Sequence, residues 1–533
     1  MITHDTIVLG GGAAGLQLGY FLGAAGRDFC ILERGRDVGS FWDRLPRNGK
    51  LISFNKVHSI YDDPEMLLRW DWNSLLTDYQ HNFRDYSQRL YPRASEMKAY
   101  LKAFAERFPA PIHFDTAVRR IHRSGSGFEL DAGSTRFACR RLVVATGLSR
   151  PYVPDIDGLE FVEDGYENVD FDPASFEGQR VLILGKGNSA FELADAVVGT
   201  TALLHLASPN PLRFAWETRH PGHVRADYTR LLDTYQLKLL NSVLDCEILR
   251  IRPEAGGFRV RMRYTHAEGE VDELFYDRVV RCTGFAFDDS VFSPECRPDM
   301  ILEGRLPKQT EGWESTNVPN LFFAGTLMQA RDFKRASSAF VDGFRYNVRT
   351  LFHMLEARYE GVPLPAASLP EDLDGLADAL LHRICRTSGL WAQFGYLADV
   401  VVWGPDGVRH LEELPVDWVH ASDLAQAPRM VLITFEWGPA DGDVFALARR
   451  PRADAADQSA FLHPVLRCYR YGVLTEEHHV LEDLFGMYAA EGEVDPHCSH
   501  NGLDVAAYHA RQHVDPLRRF LGHVLDPATE VAQ

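Results

Sequence analysis

The sequence predicts an α/β fold of two strand–turn–helix nucleotide-binding units with an appended α+β region, and three observations carry that prediction. A short apolar run, residues 6–9, leads into Gly10, Gly12 and Gly15 at G-x-G-x-x-G spacing. A second unit, RVLILGKGNSAFELADAV, follows Gln179 with Gly185 and Gly187 at its turn. Beyond residue 365 a Pro-rich stretch, PLPAASLPEDLDG, separates off a region with no further glycine fingerprint.

In the first unit the continuous apolar run reads as a parallel strand buried on both faces. Only glycine lets the chain turn this tightly beside a pyrophosphate, while Gly15 lets the helix close on the strand. The helix N-terminus supplies the charge complement. A second apolar strand, residues 29–32, ends in Glu33 about 20 residues after the first glycine, where an acid accepts ribose hydroxyls. The stretch RDVGSFWDRLPRNGKLISFNK reads as an active-site loop, and SEMKAYLKAFAERF as an amphipathic helix burying Met97, Tyr100, Leu101, Phe104 and Phe108. Strands in IHFDTAVRRI, GFELDAG and RLVVATG follow, the last running into Gly147.

The second unit opens its helix with Asn188 and Ser189 and places Ala190 at the third small position. Its next strand, ALLHLAS, ends at Ser208 with no acid where Glu33 stands in the first unit. A carboxylate would repel a ribose 2′-phosphate, whereas Ser208 with Arg213, Arg219 or Arg225 could hold one. The first site therefore takes FAD or NAD and the second leans toward NADPH; set against each other, the first becomes the FAD site. YDRVVRCTGFAFD runs into Gly284, and NVPNLFFAGTLM brings the chain back to the first lobe at Gly325, before a helix in SAFVDGFRYNVRTLFHMLE. The expected boundaries are 1–165 with 291–365 for the FAD-binding domain, 166–290 for the NAD(P)H-binding domain and 366–533 for a separate C-terminal unit. That unit mixes helices (LADALLHRICRTSGLWAQF) with strands (MVLITFEWG, DVFALAR).

Several function classes are disfavoured. A net charge of -19 argues against polyanion binding, so nucleic acid is not an expected partner. No apolar run reaches the roughly 18 residues of a membrane span. With the first strand starting by residue 6, a leader has no room, and the expected compartment is the cytoplasm. Eight cysteines are scattered with no C-x-x-C, so the dithiol of disulfide reductases is absent. His478 with His479, the group His497, Cys498 and His500, and His509 with His513 match no familiar metal framework, and no metal is expected. A homodimer is compatible with the sequence.

These fingerprints, with V-A-T-G and C-T-G at the lobe ends, resemble the flavin-containing monooxygenase superfamily. RLPRNGKLISFNK, RWDWNSLL, LLDTYQLKLL, DGFRYNVRTL, FLHPVLRCYRY and HHVLEDLF resemble more closely the FAD-dependent oxidoreductase domain-containing protein 2 family, endoplasmic-reticulum flavoproteins associated with degradation. The likeness covers nearly the whole chain. This chain ends in TEVAQ without their retention tail, so compartment and partners do not transfer. The resemblance implies FAD contacts at Gly10, Gly12, Ala14, Gly15, Glu33, Arg34, Phe41, Trp42, Val118, Thr146, Gly147, Gly325 and Thr326. Ala13, Ser40 and Ala145 belong to the same expected set, and Glu192 joins Gly185, Gly187, Asn188, Ser189, Ser208 and Arg213 in the second lobe. Asn55 falls where the superfamily keeps an asparagine at the flavin's reactive face, its alternative being a turn-capping residue. Two departures stand out: F-x-G-x-x-x-H is not intact, with Tyr166 near the histidine position, and Pro209 follows Ser208 where an arginine is usual, which leaves NADH possible.

The leading expectation is a flavoprotein monooxygenase that passes one atom of dioxygen to a small amine, sulfur or carbonyl substrate, with Asn55, Trp42 and Phe41 around the reacting centre. The alternatives are an NAD(P)H:acceptor oxidoreductase serving a disulfide, quinone or partner protein, and a flavin-loaded binding or scaffold protein.

Overall fold

A computed structural model describes residues 1–78, 81–405, 407–440, 442–450, 452–488 and 505–526. The first sheet has the order β3-β2-β1-β6-β5-β4, built from Ile2–Leu9 (β1), Phe29–Leu32 (β2), Ile112–His113 (β3), Arg120–Ser124 (β4), Gly127–Ala132 (β5) and Thr135–Val144 (β6). β1 is the central strand, parallel to β2 through Thr6↔Phe29 and to β6 through Ile7↔Leu142. Parallel pairing on both sides and cover on both faces are why residues 6–9 are all apolar or small, and all buried. The returning strand Leu321–Phe323 joins the same sheet against β6.

The second sheet holds Arg180–Leu184, Leu203–Ser208, Ser242–Glu254, Gly257–Tyr264, Val271–Tyr276 and Arg278–Arg281. Its edge is Glu163–Asp164, which lies within the span expected for the first lobe but pairs with Arg278–Arg281, two backbone partners outweighing a boundary read from composition. A six-stranded sheet follows in which every pair of neighbours is antiparallel, containing Leu397–Gly404, Met430–Trp437 and Leu462–Arg470. DVFALAR, expected as a strand, forms none: residues 443–449 are turn and irregular chain, and Phe445 is 81% exposed. Gly438, Pro439 and Gly442 just before it punctuate the chain against continuing the strand Met430–Trp437.

Helix α1 (Ala13–Ala24) is buried on almost every side, packed between β1 and the return helix Val341–Leu355. The expected independence of the C-terminal unit does not hold: Val8 and Leu16 of the first lobe share one continuous core with Leu380, Val401 and Leu521. The buried Arg69 guanidinium reinforces this join, donating to the carbonyls of Thr387, Ile384 and Gly486 at 3.0, 3.0 and 3.2 Å. No described helix is long and apolar enough to cross a membrane.

Candidate flavin and nicotinamide site

At the first turn, sterics explain each glycine. A Cβ on Gly15 would lie 1.9 Å from the Gly10 carbonyl oxygen, and one on Gly10, at φ +115°, 2.7 Å from that of Ala145. Around Gly12, by contrast, a Cβ would meet nothing within 4 Å. The helix that begins there has no acid in its first turn and no side-chain cap, so its N–H groups and dipole face this open space: an anion cradle of pyrophosphate type. Beside it Glu33, 4% exposed, accepts from Gly11 N (2.7 Å), Gly35 N (2.7 Å) and Ser40 Oγ (2.9 Å). One carboxylate thus braces the turn and the loop that covers it.

Of the other first-lobe residues, Ala145 meets the turn at Gly10 and Gly325 meets it at Ala14. Ala13, Ala14 and Ala145 are buried, Gly147 and Gly325 adopt φ of +62° and +73°, and a Cβ on Gly325 would come within 2.5 Å of Ala14 Cβ. Arg34 and Thr146 are exposed, Val118 is half-buried, and Phe41 meets Trp42 edge-on at 4.9 Å. Thr326 Oγ1 donates to Ala339 O at 3.2 Å.

The second turn repeats the backbone: Gly185 at φ +129° would place a Cβ 2.2 Å from Cys282 O, and Gly187 faces open space. Asn188 Nδ2 donates to Gly222 O and His223 O at 3.2 and 3.0 Å, and its Oδ1 accepts from Arg225 N at 3.1 Å. The Tyr166 hydroxyl accepts from Gly284 N at 2.7 Å and bonds with Ser189, so the residue standing near the missing histidine ties two turns of this lobe together. Glu192 is 7% exposed, and burial pushes its carboxyl up to about 8. Ser208 donates to Asn210 O at 3.2 Å. An acid does stand here, one strand further on: Asp245 lies opposite Ser208 and is ion-paired with Lys186 of the turn. Neither residue was singled out by sequence, because strand adjacency is not encoded in spacing. Of the three arginines considered for a 2′-phosphate, Arg213 is exposed, whereas the other two are engaged elsewhere. Arg219 covers Trp437 at 4.6 Å and donates to Gly438 O at 2.9 Å, and Arg225 lies 4.2 Å over Phe54.

Asn55 is 2% exposed, with Nδ2 donating to Ser87 O (2.7 Å) and Arg89 O (3.3 Å). The amide nitrogen therefore braces backbone, as the turn-capping alternative expects, while Oδ1 is buried without a partner.

A cavity of about 870 Å³ lies where the three regions meet, with Phe54, Trp72 and Asp342 from the first lobe, Arg225 from the second, and Trp391 and Trp437 from the C-terminal region among its walls. Asp342, in the first turn of Val341–Leu355, is 3% exposed. Burial pushes its carboxyl up to about 7, and Oδ1 has no partner. The acid was legible in SAFVDGF as an early helical residue; its burial was not.

All described cysteines are buried, and none of them forms a disulfide with another. Among the described residues one grouping has ligand-like spacing, His4, Cys30 and His113, with ligand atoms within 4.8 Å of one another. There His4 Nδ1 already pairs with Asp28 at 2.7 Å, and burial pushes the Cys30 thiol up to about 12, which suits core packing. His479 pairs with His463 at 2.9 Å and His509 with His513 at 2.9 Å, while His497, Cys498 and His500 lie outside the described residues.

Residues 7–325 match the pyridine nucleotide-disulphide oxidoreductase family. FAD-dependent oxidoreductase domain-containing protein 2 from Danio rerio and from Mus musculus are each 34% identical, covering 98% of this chain and 84% of theirs. Among solved structures, a flavin-containing monooxygenase from Stenotrophomonas maltophilia superposes with a TM-score of 0.52 at 22% identity, covering 67% of this chain and 99% of that one. The chain belongs to the pyridine nucleotide-disulphide oxidoreductase family and to that of FAD-dependent oxidoreductase domain-containing protein 2, and it is an FAD-dependent oxidoreductase that uses NAD(P)H.

Proposed function

We propose that this oxidoreductase is a monooxygenase that transfers one atom of dioxygen to a small organic substrate. The observation that carries the reading is the largely apolar cavity of about 870 Å³ abutting the return segment, whose Gly325 packs on Ala14 of the first turn. Oxygen transfer in competition with water favours a chamber with such apolar walls. A dithiol relay needs an accessible, low-pKa cysteine pair, and the chain has no C-x-x-C while every described cysteine is buried.

On this reading the FAD-binding domain is 1–162 with 291–365 and the NAD(P)H-binding domain 163–290, since Glu163–Asp164 pairs into the second sheet, with the C-terminal region roofing the cavity. The backbone from Gly10 to Gly15, with Ala13 and Ala14, cradles the FAD pyrophosphate, and Glu33, braced by Ser40, takes the ribose. Arg34, Phe41, Trp42, Val118, Ala145, Thr146, Gly147, Gly325 and Thr326 flank it. Gly185, Gly187, Asn188 and Ser189 hold the nicotinamide nucleotide, with Ser208 and Arg213 beside its adenosine end and Glu192 within the same helix. Held there, FAD would supply the redox chemistry that links the nicotinamide to dioxygen. Asp342, its carboxyl raised by burial to about 7, holds or accepts a proton at the cavity wall.

Anaerobic reduction of the yellow protein by NADPH and by NADH, followed by air in the presence of amine, sulfide and ketone panels, tests the proposal. Coupled consumption of NAD(P)H and dioxygen with an oxygenated product supports it. Peroxide formed in equal amount to NAD(P)H, with rapid reduction of an added quinone or disulfide, replaces it with the acceptor-oxidoreductase reading.

A further inference from the structure

We infer that the cavity binds a flat, aromatic molecule carrying a carboxylate, with Arg225 as the principal anion-recognising residue. This rests on the proposed reading of the cavity as the substrate chamber and narrows its substrate class. The protein carries a net charge of -19, yet Arg69, Arg219, Arg225 and Arg449 all line this one chamber. Among the described residues none of the four has a carboxylate within ion-pair distance. Three are held largely by backbone carbonyls: Arg69 as above, Arg219 by Gly438 O, and Arg449 by Glu482 O at 2.7 Å.

Arg225 differs from them. It is 4% exposed, its Nη1 donates to Pro221 O at 3.3 Å, its side chain also bonds with Tyr91, and its guanidinium lies over the Phe54 ring at 4.2 Å with the Trp72 ring at 5.4 Å, the two rings themselves meeting at 4.8 Å. A buried cation without a counter-charge is costly, and a stacked guanidinium still presents its edge N–H groups for bidentate contact with a carboxylate. Three acids share the same wall, and among the described residues none is ion-paired with Arg225, although Asp342 acts on it through its charge. Asp342 is itself held toward its neutral form, Glu482 Oε1 accepts from Arg450 N at 2.8 Å, and Asp483 Oδ1 accepts from Phe485 N at 2.8 Å. A ligand anion completes what the protein leaves open.

The aromatic walls set the rest of the class. Trp391 and Trp437 each present a ring to an arginine at 4.6 Å, which fixes the rings as flat, rigid walls, and the mouth is apolar, with Leu90, Trp216 and Leu484 52%, 44% and 71% exposed. A planar aromatic body has ring faces to stack on in such a chamber, and its carboxylate is the group a guanidinium recognises.

Three probes of one shape separate the possibilities: 2-naphthoate, 2-naphthamide and 2-naphthylmethylammonium, titrated into the oxidised holoprotein without NAD(P)H and followed by tryptophan fluorescence. The expected result is naphthoate binding on the order of 10-fold more tightly than the amide, with the cation weakest. Arg225→Met should abolish the preference and Arg225→Lys retain part of it, at unchanged FAD content and melting temperature. Arg36→Met, a loss of the same charge at a fully exposed site, should change nothing. Equal binding of naphthoate and amide overturns the inference. So does competitive displacement of naphthoate by NADP⁺ with a matching loss of NADP⁺ affinity in Arg225→Met, which would assign the arginine to a nucleotide phosphate. Because the readout is binding, failure of the monooxygenase reading leaves it intact: naphthoate preference without coupled oxygen consumption would sink only that reading.

Discussion

The two glycine turns share a backbone and differ in the chemistry of the strands beside them. Gly10 and Gly185 both sit at positive φ against a carbonyl oxygen, and Gly12 and Gly187 both open onto free space. In the first, the buried Glu33 carboxylate ends the neighbouring strand and accepts three hydrogen bonds. In the second that place belongs to Ser208, and the acid, Asp245, is one strand away and neutralised by Lys186. Backbone geometry decides that a pyrophosphate fits; the neighbouring strand decides which sugar accompanies it.

The largest expected effect tests whether the shared backbone really excludes side chains. Gly15→Ala forces a Cβ onto the Gly10 carbonyl and should cost about 3 kcal/mol or more, seen as loss of soluble, yellow protein, whereas Gly187→Ala should melt within about 0.5 kcal/mol of the parent. Equal behaviour would break the comparison at its root. Glu33→Ala comes next. Orphaning Gly11 N, Gly35 N and Ser40 Oγ should cost about 2 kcal/mol and empty the protein of FAD on dilution, read from the 450 nm to 280 nm absorbance ratio, while NADPH affinity holds.

A third test uses the return helix, which has an acid in its first turn where the helices of both turns have none. The folded-state pKa of Asp342 is raised to about 7, so the stability this carboxyl contributes is full below its unfolded value and lost as pH rises through about 7. Asp342→Asn should therefore gain about 1–3 kcal/mol over the parent at pH 8 and little at pH 5, measured by urea unfolding at the two pH values. A pH-independent difference would show that the carboxyl is already ionised. The smallest effect concerns the sugar. Ser208→Asp should shift the ratio of kcat/KM for NADPH over NADH about tenfold toward NADH, close to 1.4 kcal/mol, leaving FAD content unchanged.

Much of this architecture is legible in the chain. Gly10, Gly15 and Gly185 are required by contacts within a few residues or with an adjacent strand, so their spacing alone announces the turn. Glu33 likewise stands at a fixed distance along one βα unit. DVFALAR misled because its apolar residues say nothing of the punctuation before it at Gly438, Pro439 and Gly442, and the C-terminal region read as separate because a Pro-rich linker does not reveal that Leu380 and Val401 complete the core begun at Val8.

What the sequence determined by itself is thus local: two dinucleotide turns, a ribose acid in one and its absence in the other, and no dithiol. Tertiary structure alone decided what lies between them. It turned Arg219 and Arg225 away from the second turn to stack on aromatic rings, brought Asp245 to Lys186, and buried Asp342 in a chamber that three distant stretches of chain close together. The reason is physical: a turn is set by sterics between near neighbours, whereas a charge acquires its partner and its solvation only when elements hundreds of residues apart pack.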